Sequence, residues 1–522
     1  MVFKNEDTFK TFLDLNQENR FHSLYEKAVN LVSSEFGKTY PVIIDGKKIC
    51  TSETMIRTSP TDRRIILGYI HKGNSTHAKK AIQVANNAFE KWSIIDYKKR
   101  VKLFRKIGVI MKRRKFELSA WLTFENGKNR YESIADMDEA IDFIMYYSDE
   151  MEKNKGFVTR KLGSSNEQNT STMKPYGVWA VIAPFNFPAA ILVGMSVGAL
   201  ITGNTVIIKP ASDTPIIGYK IVEIMIEAGI PNGVINLVPG SGAEIGKTII
   251  ESKEVAGIVF TGSREIGYRL MSESTKTKPR PVIAELGGKN ATIVTDTANL
   301  DIAAEGVAKA AFSFSGQKCS ACSRVYVQRH VKSEFLSKLV EKTKKLRVEN
   351  PEERESFVGP VINLNAYNNF KKYSKLASKH GNILTGGSVI RNDKFKHGFY
   401  VEPTIVEGLP THHPLLKKEL FVPILCISEY DKFDKAIKMT NESEYGLTSG
   451  IYSNKRDEIL KFLQDIEAGV VYVNRKKSST TGAMVGRQSF GGWKDSGTTG
   501  KGTGGKYYLT QFMREQSQTI VK

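Results

Sequence analysis

The chain has 522 residues, 40% of them hydrophobic and 25% charged, which describes a globular protein too long for one ordinary core; two or three domains are expected. Its net charge of +21 invites a nucleic-acid partner, but lysines and arginines are spread along the whole length among acidic residues, and no nucleic-acid-binding signature stands out. The sign suits an anionic substrate or cofactor equally well. Four cysteines without regular spacing fit a reducing compartment, and the charged start Met1-Val-Phe-Lys-Asn-Glu-Asp-Thr8 lacks a signal-peptide core, so a cytoplasmic protein is expected.

Residues 1 to about 40 have a helical pattern and lead into Tyr40–Ile49, a hairpin turning at Asp45-Gly46. Ser59-Pro-Thr-Asp62 is a further turn signal. From His77 to Lys115 apolar residues recur at helical spacing, among them Ala81, Ile82, Ala85, Leu103, Ile107 and Ile110. More helices run to about Glu152, which predicts a helical layer packed on a sheet formed later in the chain. Gly156–Tyr176 then turns polar, the composition of a mobile loop or a long hairpin.

Val178–Ile201 has no charged side chain and is long enough to cross a bilayer. Pro184, Asn186, Pro188, Gly194 and Gly198 interrupt it, so it reads as buried strand, turn and helix, and no membrane is expected. Strands over Val178–Ile182, Thr205–Lys209, Val234–Val238 and Gly257–Phe260 alternate with helices over Ala189–Ile201, Pro215–Ala228 and Ala243–Ser252. This spacing predicts a doubly wound parallel sheet with ligands at the carboxyl ends of its strands. Pro239–Gly246 is a glycine-rich turn one residue too long for a dinucleotide fingerprint. In Phe260-Thr-Gly-Ser263, open amides and Ser263 suit a pyrophosphate at a helix start.

A second alternating region follows Pro279. Strands are expected over Val282–Leu286 and Ala291–Val294, a helix over Asp301–Phe314, an amphipathic helix within Val331–Arg354, and a strand over Val470–Asn474. The glycine- and serine-rich stretch Arg475–Gly505 is long enough to be functional or disordered. The tail Lys506–Lys522 reads as extended.

Phe314–Arg324 carries the chemistry. Small residues (Ser315, Gly316, Ser320, Ala321) leave backbone amides open around Cys319, and Lys318 next door favours a thiolate able to attack a carbonyl. A buried structural cysteine in a small-residue turn fits the same stretch. Cys319 and Cys322 also have the spacing of a redox pair or half a metal site. No second pair exists, since Cys50 and Cys426 are isolated, and the histidines form no ligand pattern; no metal is expected.

Pro184-Phe-Asn-Phe-Pro188, Lys209-Pro210, Phe260-Thr-Gly-Ser263, Glu285-Leu-Gly-Gly-Lys289, Gly316-Gln-Lys-Cys-Ser320, Glu419-Leu-Phe421 and Phe490-Gly-Gly-Trp-Lys-Asp-Ser496 together make nearly the whole chain resemble the aldehyde dehydrogenase superfamily. Asn474-Arg-Lys and Thr481-Gly-Ala-Met-Val-Gly486 are most similar to its 1-pyrroline-5-carboxylate (glutamate-γ-semialdehyde) dehydrogenases. The resemblance implies an α/β fold with a Rossmann-type cofactor domain (1–152 and 177–285), a catalytic domain (286–499) and a β-hairpin oligomerisation arm (153–176 and 500–522). The arm would pair with a neighbouring subunit, giving a homo-oligomer, at least a dimer.

The implied reaction is NAD(P)-dependent oxidation of glutamate γ-semialdehyde in proline catabolism. Cys319 would attack the aldehyde, Asn186 and the Cys319 N–H would hold the oxyanion, and Glu285, ionised near neutral pH, would activate water against the thioester. Lys209 would reach the adenosine ribose. Gly262 and Ser263 would meet the pyrophosphate, and Glu419 and Phe421 the nicotinamide end. Ser320, Gly482 and Ala483 would anchor the substrate carboxylate between Phe187 and Phe490.

Two positions depart from the family. Ser212 replaces a glutamate common in NAD-preferring relatives, which removes repulsion against a 2′-phosphate and predicts that NADP is accepted. Val422 stands where glycine is usual, a change expected to bear on the Phe421 ring contact. The alternatives are a succinate or 2-oxoglutarate semialdehyde dehydrogenase, or a non-catalytic protein on the same fold.

Overall fold

The computed structural model describes residues 3–161, 163, 166–276, 278–476 and 484–521. Two seven-stranded sheets organise them. The first runs in the order Val282–Glu285, Val255–Thr261, Val178–Ile182, Thr205–Lys209, Ile235–Leu237, Val42–Ile44, Lys47–Ile49. Its first five strands are parallel, and Val42–Ile49 is the antiparallel hairpin expected. Thr205–Lys209 is buried at every position. An almost unbroken apolar run is what a strand covered on both faces requires.

The long helices Tyr97–Asn126 and Arg130–Lys153 form the expected helical layer. They rest mainly on Ala190–Ile201 and Pro215–Ala228, helices that themselves cover the sheet, so the layer lies one level further out than the sequence suggested. The helix expected over Ala243–Ser252 is divided into a wide turn, Gly242–Gly246, and a short helix, Lys247–Glu251. Among the described residues no helix is long and apolar enough to cross a membrane; Val178–Ile201 is strand, turn and helix.

The second sheet runs Asn382–Thr385, Thr404–Glu407, Ile424–Tyr430, Cys322–Gln328, Asn290–Val294, Thr448–Tyr452, Val470–Val473. Only the first of these is antiparallel to its neighbour. Leu300–Phe312 and Lys332–Lys344 cover one face, while Phe433–Asn441 and Arg456–Asp465 cover the other.

Within the polar stretch 156–176, Val158–Lys161 pairs antiparallel with Glu167–Pro175. The tail strand Met513–Val521 pairs along it from Pro175 to Glu167, making a three-stranded sheet. The tail is not extended throughout. A single helical turn, Leu509–Phe512, first buries Leu509 and Phe512 in the main core.

Candidate active site

The loop before Cys319 is wound the unfavourable way. Phe314 and Ser315 have φ of 48° and 53°, a left-handed conformation costing about 1–2 kcal/mol per non-glycine residue. The surroundings hold it there. Ser315 Oγ donates to the Gly359 carbonyl at 2.6 Å, and the Ile362 N–H donates to Gln317 Oε1 at 2.8 Å. Asn290, at the head of a wholly buried strand, donates from Nδ2 to the carbonyls of Cys319 (2.7 Å) and Ala321 (2.9 Å) and accepts the Thr448 N–H at 3.0 Å. The cysteine loop is thereby stapled to the second sheet. Asn290 was missed in the sequence, where its only signal was a polar residue opening an apolar strand beside Glu285–Lys289.

Cys319 and Ser320 line a narrow, mostly apolar cavity together with Glu285, Phe187 and Phe490. Glu139, Phe143, Thr503 and Tyr508 close it from the helical side and the C-terminal stretch. The expectation for Lys318 fails: its Nζ donates to Glu132 Oε1 at 2.7 Å and to Ser313 Oγ at 3.0 Å, so its charge is spent away from the sulfur. Burial, reinforced by the Glu419 and Glu285 carboxylates, pushes the Cys319 thiol up to about 12. These surroundings favour the thiol over the thiolate. Cys322 turns into the core beneath Leu300–Phe312, bonded to Thr292 Oγ1 at 3.3 Å and to the Arg324 carbonyl at 3.4 Å, and does not share the cavity.

Glu285 ends the strand Val282–Glu285, and the Gly492 N–H donates to its Oε2 at 3.2 Å. Burial pushes its carboxyl up to about 8. This corrects the expectation of a carboxylate ionised near neutral pH, because apolar walls disfavour the charge. Glu419 accepts the Gly288 N–H at 2.9 Å, and burial raises it to about 7. A Cβ on Gly287 would collide with the Glu419 carboxylate, and one on Gly288 with the Cys319 carbonyl. The glycine pair thus lets both approach one strand end from opposite sides.

Phe421 is also left-handed (φ 56°) and meets Phe185 edge-on at 5.7 Å. The Val422 side chain is buried in the core of the second sheet with Val406, Ile424 and Cys426. Asn186 is buried in the turn beside the cavity, and the Phe187 N–H donates to its Oδ1 at 3.1 Å, which turns the amide NH2 the other way. Fully buried Lys128 lies 3.6 Å over the Phe187 ring centroid and donates to Asp136 at 2.8 Å. Asp136 in turn accepts the Ala190 N–H at 2.8 Å, capping a helix whose own N-cap position holds alanine. Lys128 and Asp136 gave no sequence signal.

On the other side, the switch point of the first sheet falls between Val178–Ile182 and Val255–Thr261, where the strand order reverses. Ser263 caps the helix Arg264–Ser274 just past this point, next to Gly262. Lys209 ends the strand beyond, 8% exposed, its amine lowered by burial and within 3.3 Å of the Pro210 carbonyl. Ser212 is exposed on the turn that follows. A helix start and a nearly unpartnered buried amine at the ends of the two strands flanking Val178–Ile182 fit a dinucleotide. Gly482 and Ala483 lie outside the described residues.

A thiol and a carboxyl on one cavity, beside the switch point of a dinucleotide-type sheet, are the architecture of an oxidoreductase that works through a cysteine. The pattern of the aldehyde dehydrogenase family matches residues 49–518, and the chain belongs to that family. It is 40% identical over 498 residues to a 1-pyrroline-5-carboxylate dehydrogenase of Geobacillus kaustophilus (94% of this chain, 95% of that one). The corresponding Oceanobacillus iheyensis protein is 38% identical, with 99% of both chains covered. Among solved structures, a Thermus 1-pyrroline-5-carboxylate dehydrogenase with bound NAD superposes with a TM-score of 0.94 at 35% identity over 100% of this chain and 99% of that one. A Staphylococcus aureus betaine aldehyde dehydrogenase with NAD gives 0.89 at 27% identity over 95% and 97%.

Proposed function

We propose that this aldehyde dehydrogenase oxidises L-glutamate γ-semialdehyde, the open form of 1-pyrroline-5-carboxylate, to L-glutamate in proline catabolism. The observation carrying the chemistry is that Cys319, on the turn leading into the second sheet, and Glu285, at a strand end of the first, share one cavity walled by Phe187 and Phe490. The substrate reading is supported by the names of near-full-length relatives.

In this reading the ionised form of Glu285, on the same cavity, takes the proton of the Cys319 thiol as Sγ adds to the aldehyde carbon, and it returns to the carboxylate by passing that proton to solvent before the hydrolysis step. The Asn186 NH2 and the Cys319 N–H receive the oxyanion. The nicotinamide cofactor, when bound, supplies the hydride acceptor; Lys209, Gly262, Ser263, Glu419 and Phe421 are the residues that would hold it. Glu285 then draws a proton from water, whose oxygen attacks the thioester and frees the acid and the thiol. Ser320, with the backbone at Gly482 and Ala483, holds the substrate's α-carboxylate. Glu139, the other carboxyl on the cavity wall, faces its α-ammonium.

Ser212 beside Lys209 favours acceptance of NADP along with NAD. The domain reading follows the two sheets, with 1–152 and 177–285 on the cofactor side and 286–499 on the catalytic side. The sheet of 153–176 and 500–522 serves as an arm between subunits of a homo-oligomer. The surrounding compartment is reducing, as in the cytoplasm, and keeps Cys319 available.

Steady-state kinetics with glutamate, succinate and 2-oxoglutarate semialdehydes, each with NAD and NADP, tests the reading. Glutamate semialdehyde is expected to give the highest kcat/KM, with measurable turnover on NADP. Glu139→Gln is expected to raise KM for glutamate semialdehyde and leave that for succinate semialdehyde, which has no amine. A preference for either other aldehyde overturns the substrate assignment.

A further inference from the structure

A lysine in the turn between two helices is ordinarily exposed. Lys128 occupies such a turn, between Tyr97–Asn126 and Arg130–Lys153, and is fully buried. The turn is built to bring it inward. Gly127, left-handed at φ 78°, ends the first helix against Pro360, and a Cβ there would lie 2.9 Å from that ring. The Lys128 N–H donates to Asn126 Oδ1 at 3.1 Å, and its carbonyl accepts the Ser133 hydroxyl at 3.2 Å. Asn129 Oδ1 then accepts the Glu132 N–H at 2.9 Å and starts the second helix.

The Lys128 amine lies where three parts of the site meet. It stands 3.6 Å from the ring centroid of Phe187, which lines the cavity. It stands 5.0 Å from that of Phe314, in the left-handed loop before Cys319. Its third neighbour, Asp136 at 2.8 Å, belongs to the helix whose Glu139 and Phe143 line the cavity. Lys318 reaches the Phe187 ring less closely, at 5.9 Å, and donates to Glu132 of the same helix.

Burial lowers the Lys128 amine and raises the Asp136 carboxyl, while each charge supports the other. An ammonium out of water is drawn to an aromatic face more strongly than an exposed one. The contact with Phe187 therefore holds the plane of the ring as well as filling space.

We propose that Lys128 is a positioning residue for aldehyde oxidation: its ammonium pins the Phe187 ring and so sets where the aldehyde carbon rests against Cys319. Lys128, with no exposed surface, acts through the ring; this role rests on the thioester reading above, whichever aldehyde the enzyme prefers.

Lys128→Met alone would strand the Asp136 charge, so the two are neutralised together. Lys128→Met/Asp136→Asn keeps the volume and an acceptor for the Ala190 N–H, and Lys128→Gln/Asp136→Asn is a second neutral pair. Rates are measured with whichever of L-glutamate γ-semialdehyde and propanal the parent oxidises faster, so a wrong substrate assignment leaves the test standing. Each neutral pair is expected to lower kcat/KM for the aldehyde about tenfold, with cofactor KM within about twofold of the parent.

In a Phe187→Leu background the same neutralisation is expected to cost less than about twofold, because the ring it acts on is gone. Equal losses in the two backgrounds overturn the proposal, as does an unchanged kcat/KM in a folded neutral pair. Failure of both pairs to fold also overturns it, since Lys128 would then serve the core alone.

Discussion

Glu285 and Asn290 show how much of the candidate chemistry depends on surroundings. Burial holds the Glu285 carboxyl at about 8, so its base form is a minority at neutral pH and grows tenfold per pH unit below that value. If thioester hydrolysis limits turnover, kcat rises with pH and levels off near pH 8. Glu285→Gln is expected to flatten the profile and lower kcat by about a hundredfold or more. A parent kcat that is already flat from pH 6 to 9 removes Glu285 as the base.

Asn290→Ala strips two donors from the cysteine loop and one acceptor from Thr448. It is expected to slow kcat about tenfold through misplacement of Cys319, with cofactor KM little changed. Slower alkylation of Cys319 by iodoacetamide is the independent check. Of these groups, Cys319, Glu285 and Asn186 were legible because each sits in a short motif. Asn290, Lys128 and Asp136 were not, because their partners lie far away in sequence and no local pattern encodes them.

Among the elements, the strands that became sheet centres were read almost to the residue. Val178–Ile182 and Thr205–Lys209 are such cases, because a strand covered on both faces must be apolar throughout. The hairpin of 158–175 was one of two readings left open by composition, and its pairing with Met513–Val521 decided between them. That pairing carries a prediction. The outer strands expose Val158, Ile520 and Val521 at 45%, 62% and 64%, the apolar faces expected of an arm covered by another subunit. Removing 513–521 leaves Glu167–Pro175 with an unpaired edge. Light scattering after size exclusion is expected to show loss of the parental oligomer; an unchanged assembly would sink the arm reading.

For the molecule as a whole, the sequence by itself determined the family, the two alternating regions and which cysteine is proposed to react, since periodicity and short motifs are written locally. Only the tertiary structure decided the state of that site. The pairing of Lys318 with Glu132, the upward pKa shifts of Cys319 and Glu285, and the hydrogen bond from Asn5 to the Val485 carbonyl all arise from which side chains meet and how much water they exclude. Desolvation and long-range hydrogen bonding are properties of the folded interior, and no window of neighbouring residues contains them.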